Sequence, residues 1–358
     1  MARRLLIAVV LVVLTAAAPA VRAATPAPPG QVVARGIPAA SNVAFDPAGG
    51  MWVTSGAPFA QAGDGVWYVR HAGAPPVHVI RGTHLALGLA WLRGRLYVAS
   101  QPGARTGTVT RYSGFDGRAF AHHRTIVPSL PVWQHPLGSI VPGPGGRLYL
   151  GVGAEQNALA GGHETSGTVV SFAADGSGLR VEARGLRGPF GLAVVPGTAS
   201  LLVGDNGRDD LGPRRPPDEL NVIRDVTGGP PDFGFPGCRD AGGPVCARTV
   251  APLAELPAHA GVGGVAVAPD WGGRGLTAFV AENGAIAPGV SAGRELRRIA
   301  LRRRPGGGYA ATASVFARGF ADQDPLGLAI GPGGALYVTL YRTGAVVRFF
   351  PGFAPGPA

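Results

Sequence analysis

Short apolar runs alternate with turns rich in glycine and proline along the chain, and one such unit recurs six times. In each unit an apolar run leads into a Pro/Gly turn, and a second apolar run with an aromatic residue or leucine follows. Two such runs joined by a tight turn predict a β-hairpin. The hairpins begin at Asn42, Gly88, Ser139, Gly191, Gly264 and Gly327, which are 46, 51, 52, 73 and 63 residues apart. A period of about 50 residues is typical of propeller blades.

A third alternating run follows each hairpin, and a fourth run ends in a turn such as Val181–Leu186 or Val315–Phe320. The same signature occurs once before the first hairpin, at Val32–Ile37, whereas the last repeat stops after its third strand. A ring in which the N-terminal strand completes the last blade explains this offset and removes the exposed sheet edges. We therefore predict an all-β fold, a single six-bladed β-propeller over residues 31–350, with a C-terminal tail at 351–358.

Composition narrows the classes of protein that fit this pattern. Gly 59 and Pro 34 among 358 residues would favour disorder, but 46% of residues are hydrophobic and only 15% are charged. Enough apolar surface is therefore present to offset the entropy of ordering. All 32 basic residues are arginine, and the formal net charge is +11. A basic protein can bind nucleic acid, but we favour an arginine-rich solvated surface and expect no nucleic-acid partner.

The N-terminus has the pattern of a secretory signal peptide, which we assign to residues 1–23, with a disordered linker at 24–30. Arg3 and Arg4 precede an apolar stretch that ends at Ala18, and Ala23 closes a small-residue cleavage site. Without Arg3, Arg4 and Arg22, the net charge falls from +11 to +8. No later segment offers about 20 unbroken apolar residues. We expect a periplasmic or secreted protein without stable membrane insertion.

The only two cysteines, Cys238 and Cys246, lie eight residues apart in a segment rich in glycine and proline. Soft ligands that could complete a metal site are missing from the neighbouring sequence. In an exported protein such a pair most simply forms a local disulfide.

A candidate site follows from the predicted blade order. Loops that enter the innermost strands and loops that leave the second strands lie on one face, around the channel, and loops on a rigid scaffold carry function. His84, His135 and His259 occupy the same position in three repeats, before an inner strand. A histidine there can be a general base, a metal ligand or a hydrogen-bonding cap. The cationic and amide groups of this ring suit a polar, anionic ligand.

Five stretches of the sequence resemble one family. They are His135–Gly153, Asp175–Val194, Asp205–Ile223, Asp232–Cys238 and Leu256–Val267. They are similar to the soluble glucose/sorbosone dehydrogenases that use pyrroloquinoline quinone (PQQ), and in particular to the sorbosone-dehydrogenase-like branch. The resemblance implies a six-bladed propeller, which the repeats predict independently.

The resemblance also implies an activity and a set of site residues. The expected function is that of an exported sugar dehydrogenase, in which a small-molecule aldose or aldehyde is oxidised and hydride passes to PQQ beside Ca²⁺. His135 falls on the family's catalytic base and Arg187 on its cofactor-contacting arginine. Gly207 and Arg208 fall where backbone carbonyls bind the metal. The other polar ring residues expected to contact the cofactor are Asn206, His259, Asn283 and Arg342. The physiological electron acceptor is not indicated.

Departures from the family pattern leave two further functions open. Gly188 and Ser139 stand where the family commonly has Asn and Arg, and the chain contains no lysine. A binding propeller that has lost turnover is one alternative. A calcium-dependent lactonase is another, although such an enzyme needs carboxylates around the metal, and the first blade reads Ser-Asn-Val-Ala-Phe at residues 41–45, with no acid.

Overall fold

The computed structural model describes residues 30–57, 63–159, 162–226, 229–238, 244–284 and 291–353. The predicted signal peptide, nearly all of the predicted linker and most of the predicted tail lie outside these residues, so their boundaries stay predictions. The rest of the chain forms six four-stranded antiparallel sheets.

The first three blades follow one another along the chain, each with its strands in sequence order from the channel outwards. The first strand, β1 (Gln31–Ala34), belongs to the last blade. Blade 1 contains β2 (Ala40–Phe45), β3 (Met51–Ser55), β4 (Gly65–Val69) and β5 (Val77–Arg81). Blade 2 contains β6 (Gly88–Leu92), β7 (Arg95–Gly103), β8 (Thr106–Phe115) and β9 (Phe120–Pro131). Blade 3 contains β10 (Leu137–Pro142), β11 (Leu148–Val152), β12 (Thr168–Phe172) and β13 (Arg180–Ala183).

The last three blades complete the ring. Blade 4 contains β14 (Pro189–Val194), β15 (Leu201–Asp205), β16 (Asp218–Ile223) and β17 (Ala254–Leu256). Blade 5 contains β18 (Val262–Ala268), β19 (Thr277–Glu282), β20 (Glu295–Arg303) and β21 (Tyr309–Ala317). Blade 6 contains β22 (Pro325–Ile330), β23 (Leu336–Leu340) and β24 (Ala345–Phe349), and its outer strand is β1 (Gln31–Ala34). Three short 3-10 turns lie at Pro144–Gly146, Cys246–Arg248 and Pro332–Gly334.

The predicted closure of the ring is confirmed. Strand β1 pairs antiparallel with β24, with Gln31 opposite Arg348 and Val32 opposite Val347. The first and last parts of the propeller therefore share one sheet, and the ring has no free junction. The predicted disulfide is also confirmed, because Cys238 and Cys246 are bonded with an S–S distance of 2.06 Å.

Glycines of the repeat lie where inner strands of neighbouring blades touch. A Cβ atom on Gly191 of β14 would lie 2.2 Å from the carbonyl oxygen of Gly263 on β18, closer than atoms can pack. Similar approaches occur at Gly88, Gly264 and Gly327. In blades 1 and 3 the same position carries Asn42 and Ser139, and the Asn42 amide donates to the Ser139 hydroxyl at 2.9 Å. The repeat therefore encodes the close packing of the channel wall.

Apolar clusters between adjacent blades make up the core, and they leave the strand ends free to carry polar loops. Five of the six inner strands begin with an irregular register; in β10, for example, pairing shifts between Leu137 and Ile140. Such bulges redirect the backbone, and here they lie where the chain enters the channel from one face. None of the helices among the described residues is long and apolar enough to cross a membrane.

Candidate functional site

A cavity of about 510 Å³ opens on the face where the chain enters the inner strands, as the blade order predicts. Six of the eight residues expected to form the site line it: His135, Arg187, Asn206, Gly207, His259 and Asn283. Residues that are up to 148 positions apart in the sequence thus share one pocket.

His135 lies two residues before β10, where the chain turns into the channel. Its Nδ1 is 2.6 Å from the carbonyl oxygen of Ala154, and because a carbonyl only accepts, Nδ1 carries the proton. Burial, together with the positive charge of Arg187, lowers the pKa of His135 to about 4. The ring is therefore neutral at ordinary pH, and Nε2 has a lone pair available to take a proton.

Arg187 lies between β13 and β14, and only 5% of it is exposed. Its Nη2 donates to Asn157 Oδ1 at 2.6 Å and also to the Asp209 carboxylate. Its Nη1 donates to the carbonyl oxygen of Asn206 at 3.4 Å. Its buried Nε has no hydrogen-bond partner among the described residues. The guanidinium is thus held rigidly, with one donor still to be satisfied.

Two buried carboxyl groups fix the backbone around Arg187. Asp205, at the end of β15, accepts the backbone N–H of Gly188 at 2.6 Å and that of Arg187 at 3.1 Å. Burial, with the nearby Glu219 carboxylate, raises the pKa of Asp205 to about 8. Asp218 accepts the N–H of Gly207 at 2.8 Å and that of another loop glycine, Gly261, at 2.9 Å, and burial raises its pKa to about 6.

Asn206 joins blades 4 and 5 at the cavity floor. Its Nδ2 donates to the carbonyl oxygen of Gly188 at 3.2 Å and to that of Val262 at 2.8 Å. A Cβ atom on Gly188 would lie 3.2 Å from the Asn206 Cβ, so the residue at 188 has little room for a side chain. The Asn206 carboxamide therefore lies against the position at which the family commonly carries an amide.

His259 and Asn283 form the blade 5 wall of the cavity. His259 is 8% exposed and has a positive φ of 58°. Its Nε2 is 2.9 Å from the carbonyl oxygen of Gly212, and its Nδ1 is 3.7 Å from Asp209 Oδ1. Asn283 is held through its backbone N–H, which donates to the Gly261 carbonyl at 2.7 Å.

The two remaining predicted residues have side chains elsewhere. The Arg208 guanidinium binds the Asp210 carboxylate at 2.6 Å and the Pro236 carbonyl at 3.2 Å, so only its backbone could serve a metal in the cavity. Arg342 binds Asp324 at 2.8 Å and does not line the cavity. The structure does not bring Arg342 together with the other predicted cofactor contacts.

A second cavity, of about 760 Å³, adjoins the first and shares five lining residues with it: Gln134, Pro136, Phe190, Asn283 and Leu326. Aromatic and aliphatic groups dominate its lining, including Trp133, which is 46% exposed and stacks beneath the Arg105 guanidinium at 4.2 Å from the ring centroid. Gln101 is 6% exposed, and its Oε1 has no hydrogen-bond partner within the described ranges.

Sequence reasoning did not assign site roles to Asp205, Asp209, Asp218 or Gln101. The first three lie in the segment 205–218, in which every polar residue is an equally plausible contact. Which of them points inwards depends on the path of the loop, and no periodicity encodes that path. Nothing in the sequence around Gln101 distinguishes it from a surface glutamine, because Ser100 precedes it and Pro102 and Gly103 follow it.

Metal-ligand chemistry is sparse. Over the described residues there is no group of three or more His, Cys, Asp or Glu side chains arranged to hold a metal ion.

No protein-family model matches the sequence, and a search of curated proteins finds no match either. Solved structures do match. The PQQ domain of a pyranose dehydrogenase from Coprinopsis cinerea, in its holo form, has a TM-score of 0.74 at 16% identity and covers 91% of this chain and 98% of its own. The calcium structure of a Trichoderma reesei carbohydrate-active enzyme of family AA12 has a TM-score of 0.73 at 17% identity, over 88% and 94%.

The apo form of the soluble aldose sugar dehydrogenase from Escherichia coli has a TM-score of 0.67 at 18% identity, over 89% of this chain and 97% of that one. These likenesses agree with the family that the sequence resembles. At such low identity they show a shared fold: this chain has the same overall architecture as these structures, a six-bladed β-propeller.

Proposed function

We propose that this protein is an exported, PQQ- and calcium-dependent dehydrogenase of a neutral aldose or related aldehyde. One observation carries the proposal. A buried, neutral His135 with its Nε2 lone pair available lies in the same channel-face cavity as the buried Arg187 cation. The matching structures include a PQQ domain and an aldose sugar dehydrogenase, which supports the assignment. The signal-peptide pattern at residues 1–23 supports a periplasmic or secreted location.

The donors in the cavity suit PQQ, whose carboxylates and quinone oxygens are acceptors. The buried Nε of Arg187 lacks a partner among the residues described, so a ligand oxygen would satisfy it. Asn206, His259 and Asn283 complete the set of cavity residues that would hold the cofactor. Arg342 is not part of the proposal, because Asp324 binds it outside the cavity.

Calcium fits the same cavity through the backbone. Ca²⁺ prefers oxygen ligands, including backbone carbonyls. Asp218 accepts the N–H of Gly207 at 2.8 Å and so holds the backbone beside the carbonyl that the resemblance assigns to the metal. The Arg208 guanidinium points away and leaves its own carbonyl unobstructed by that side chain. Gly207 and Arg208 are therefore the proposed metal ligands, and the neighbouring calcium structure supports the choice of ion.

The residues of the chain perform the proton chemistry. Bound PQQ would accept the hydride, and with it the two electrons, that leaves the substrate carbon. His135 Nε2 accepts the proton of the substrate hydroxyl, because the Nδ1 proton is committed to the Ala154 carbonyl. The Arg187 cation favours negative charge that develops on the substrate oxygen. Burial, together with this cation, lowers the pKa of His135 and so keeps it neutral before reaction.

The substrate binds in the second cavity. It reaches the residues on either side of His135, Gln134 and Pro136. The Gln101 amide oxygen can accept a hydrogen bond from a substrate hydroxyl, and the exposed Trp133 ring offers an apolar face to a sugar. None of the described residues that line this cavity is Asp, Glu or Arg, which favours a neutral substrate.

The test is oxidation of a panel of aldoses and aldehydes by the chain expressed from Ala24, with PQQ, calcium and a redox dye. His135→Ala should lower kcat/KM by about 10²- to 10⁴-fold, the usual contribution of a general base. PQQ binding, measured from its absorbance, should persist in this variant. Added imidazole should restore part of the activity.

His122→Ala is the matched control, because His122 is exposed on the outer strand β9. It should behave as the wild type does. Full activity in His135→Ala would rule out His135 as the base. PQQ binding without turnover in the wild type would favour the alternative of a binding propeller.

The calcium-dependent lactonase is the weaker alternative. Such an enzyme needs carboxylates around its metal, and the structure shows no group of three acidic, His or Cys side chains suited to a metal in the ranges it describes. Hydrolysis of a lactone that requires calcium but no PQQ would favour it over the dehydrogenase.

A further inference from the structure

Arg187, the buried cation of the cavity, is already paired with a carboxylate of the protein. Arg187 Nη2 donates to the Asp209 carboxylate as well as to Asn157 Oδ1. Asp209 Oδ1 also lies 3.7 Å from His259 Nδ1. Arg187, Asp209 and His259 all line the 510 Å³ cavity, so the Asp209 carboxylate lies between the two basic groups that face a ligand. A carboxylate of a ligand that enters this cavity meets a protein carboxylate in its place.

Of the two partners, Asp209 is the one that can leave. The Arg187 side chain is 7% exposed, whereas the Asp209 side chain is 62% exposed. Arg187 is anchored through its backbone to Asp205 and through Nη1 to Asn206. Asp209 is on the loop between β15 and β16, and its backbone N–H donates to Asn157 at 3.1 Å. Rotation of the Asp209 side chain into solvent leaves all of these backbone contacts in place.

The energetic cost of such a rotation is limited for two reasons. The Asp209 side chain is 62% exposed, so its carboxylate regains water as it turns outwards. The incoming carboxylate becomes the new partner of the buried Arg187 cation, so no uncompensated charge is left inside. It would also approach the unsatisfied Arg187 Nε, a donor that Asp209 leaves without a partner.

We propose that Asp209 is an internal competitor for the anion site at Arg187, and that a carboxylate of the ligand binds by displacing it. Only the identity of that ligand as PQQ rests on the proposed function. In this arrangement Asp209 keeps the buried Arg187 charge compensated in the ligand-free protein and sets the affinity for anions. It is a specificity-determining residue, because only an acceptor stronger than a solvated aspartate can replace it.

The competition by Asp209 should weaken the apparent affinity for an anion by an amount that can be calculated. If the Asp209–Arg187 pair is present in about nine-tenths of ligand-free molecules, the competent tenth reduces the apparent affinity by about tenfold. Asp209→Asn removes the competing charge at nearly unchanged volume. It should therefore tighten anion binding by about tenfold. Asp209→Glu retains the charge and should stay within about threefold of the wild type.

The experiment is isothermal titration of the chain expressed from Ala24 with two probes, PQQ in the presence of calcium and citrate in calcium-free buffer. Asp210→Asn is the matched control, since Asp210 carries the same charge on the same loop but pairs with Arg208. It should change neither affinity by more than about twofold. Circular dichroism and thermal unfolding of each variant confirm that it is folded, and Asp209→Ser replaces Asp209→Asn if the latter is not.

The outcomes separate this inference from the proposed function. Tighter citrate binding by Asp209→Asn with no PQQ binding in any variant supports the competitor and contradicts the dehydrogenase. PQQ binding of equal strength in the wild type and in Asp209→Asn overturns the competitor and leaves the dehydrogenase standing. Weaker binding in Asp209→Asn also overturns it, because Asp209 would then position Arg187. If no variant binds either probe, both proposals fail.

Discussion

The two sides of the channel face differ in how far their polar side chains are hydrogen-bonded within the protein. On the charged side, made up of Arg187, Asp205, Asp209 and Asp218, each carboxylate contacts a backbone N–H or a guanidinium. On the aromatic side, made up of His84, Gln101, Trp133 and Tyr341, the buried Gln101 Oε1 has no partner within the described ranges, and the Trp133 ring is half exposed. A ligand that binds Arg187 Nη2 on the charged side must exchange with an internal contact, whereas one on the aromatic side only adds contacts that the protein lacks.

This contrast follows from where each side comes from in the chain. The charged side is built around one irregular segment between β15 and β16. Asp209 lies in this segment, Asp205 ends the strand before it and Asp218 begins the strand after it. Buried carboxyl groups fix that segment to neighbouring blades, because it has no ladder of its own. The aromatic side comes from the end of strand β7, which carries Gln101, and from short connections that carry His84, Trp133 and Tyr341. Regular strands hold these connections in place.

The largest effect should come from breaking the charged side at Arg187. Arg187→Lys keeps the charge but loses the planar fork and the Nε donor. Loss of one charge-assisted hydrogen bond, worth about 1.5–3 kcal/mol, predicts PQQ binding that is weaker by about 10- to 100-fold. The dissociation constant is measured by titration in the presence of calcium.

Arg348→Lys is the control for this change, since Arg348 is on the outer strand pair of blade 6 and binds Gln31 at 2.8 Å, remote from the cavity. Its affinity for PQQ should equal that of the wild type. An unchanged affinity in Arg187→Lys would show that the guanidinium does not contact the ligand, and the contrast between the two sides would then lose its functional meaning.

A smaller effect should come from the aromatic side. Gln101→Leu removes an amide that makes no described internal bond through Oε1, so the protein should lose little stability. If a substrate hydroxyl donates to this oxygen, KM should rise by about 3- to 10-fold with kcat nearly constant, as loss of a neutral hydrogen bond of about 1 kcal/mol implies. Steady-state kinetics with the best aldose of the panel give both constants.

Gln31→Leu, on the outer strand β1, is the matched control and should leave KM unchanged. A fall in kcat at constant KM in Gln101→Leu would mean that Gln101 acts on the reacting groups. The second cavity would then not be the place where substrate binding is determined.

The sequence predicts the propeller scaffold better than it predicts the arrangement of polar side chains on the channel face. Six hairpins, their glycines and the displaced Val32–Ile37 strand determine blade number and closure, because each is a local pattern repeated in register. His135 and Arg187 could be found since they border inner strands at a repeated position. Asp209 could not, because its role depends on meeting an arginine 22 residues away across an irregular loop. The local ion pair of Arg342 with Asp324 could not be predicted either, and it places Arg342 outside the lining of the 510 Å³ cavity.

The last effect is on stability rather than on ligand binding, and it concerns the cost of burying charge on the charged side. Burial beside Glu219 raises the pKa of Asp205 to about 8, against an ordinary value near 3.8 in the unfolded chain. Between these two pH values the folded protein holds a proton that the unfolded chain has released. The stabilisation from this group is therefore complete below about pH 4 and is lost as pH rises towards 8, at no more than about 1.4 kcal/mol per pH unit.

Asp205→Asn should flatten that slope, because its amide oxygen can still accept the N–H groups of Arg187 and Gly188 while no charge is buried. The free energy of unfolding, measured by urea titration from pH 5 to pH 8, should then fall less steeply than in the wild type. Some slope should remain, since burial also raises the pKa of Asp218 to about 6 and that of Glu282 to about 7. Asp116→Asn, in an exposed turn of blade 2, should leave the slope unchanged over this range. Identical slopes in Asp205→Asn and the wild type would mean that Asp205 is ionised over this whole pH range. The hydrogen bonds from the Arg187 and Gly188 N–H groups would then offset the cost of burying its charge.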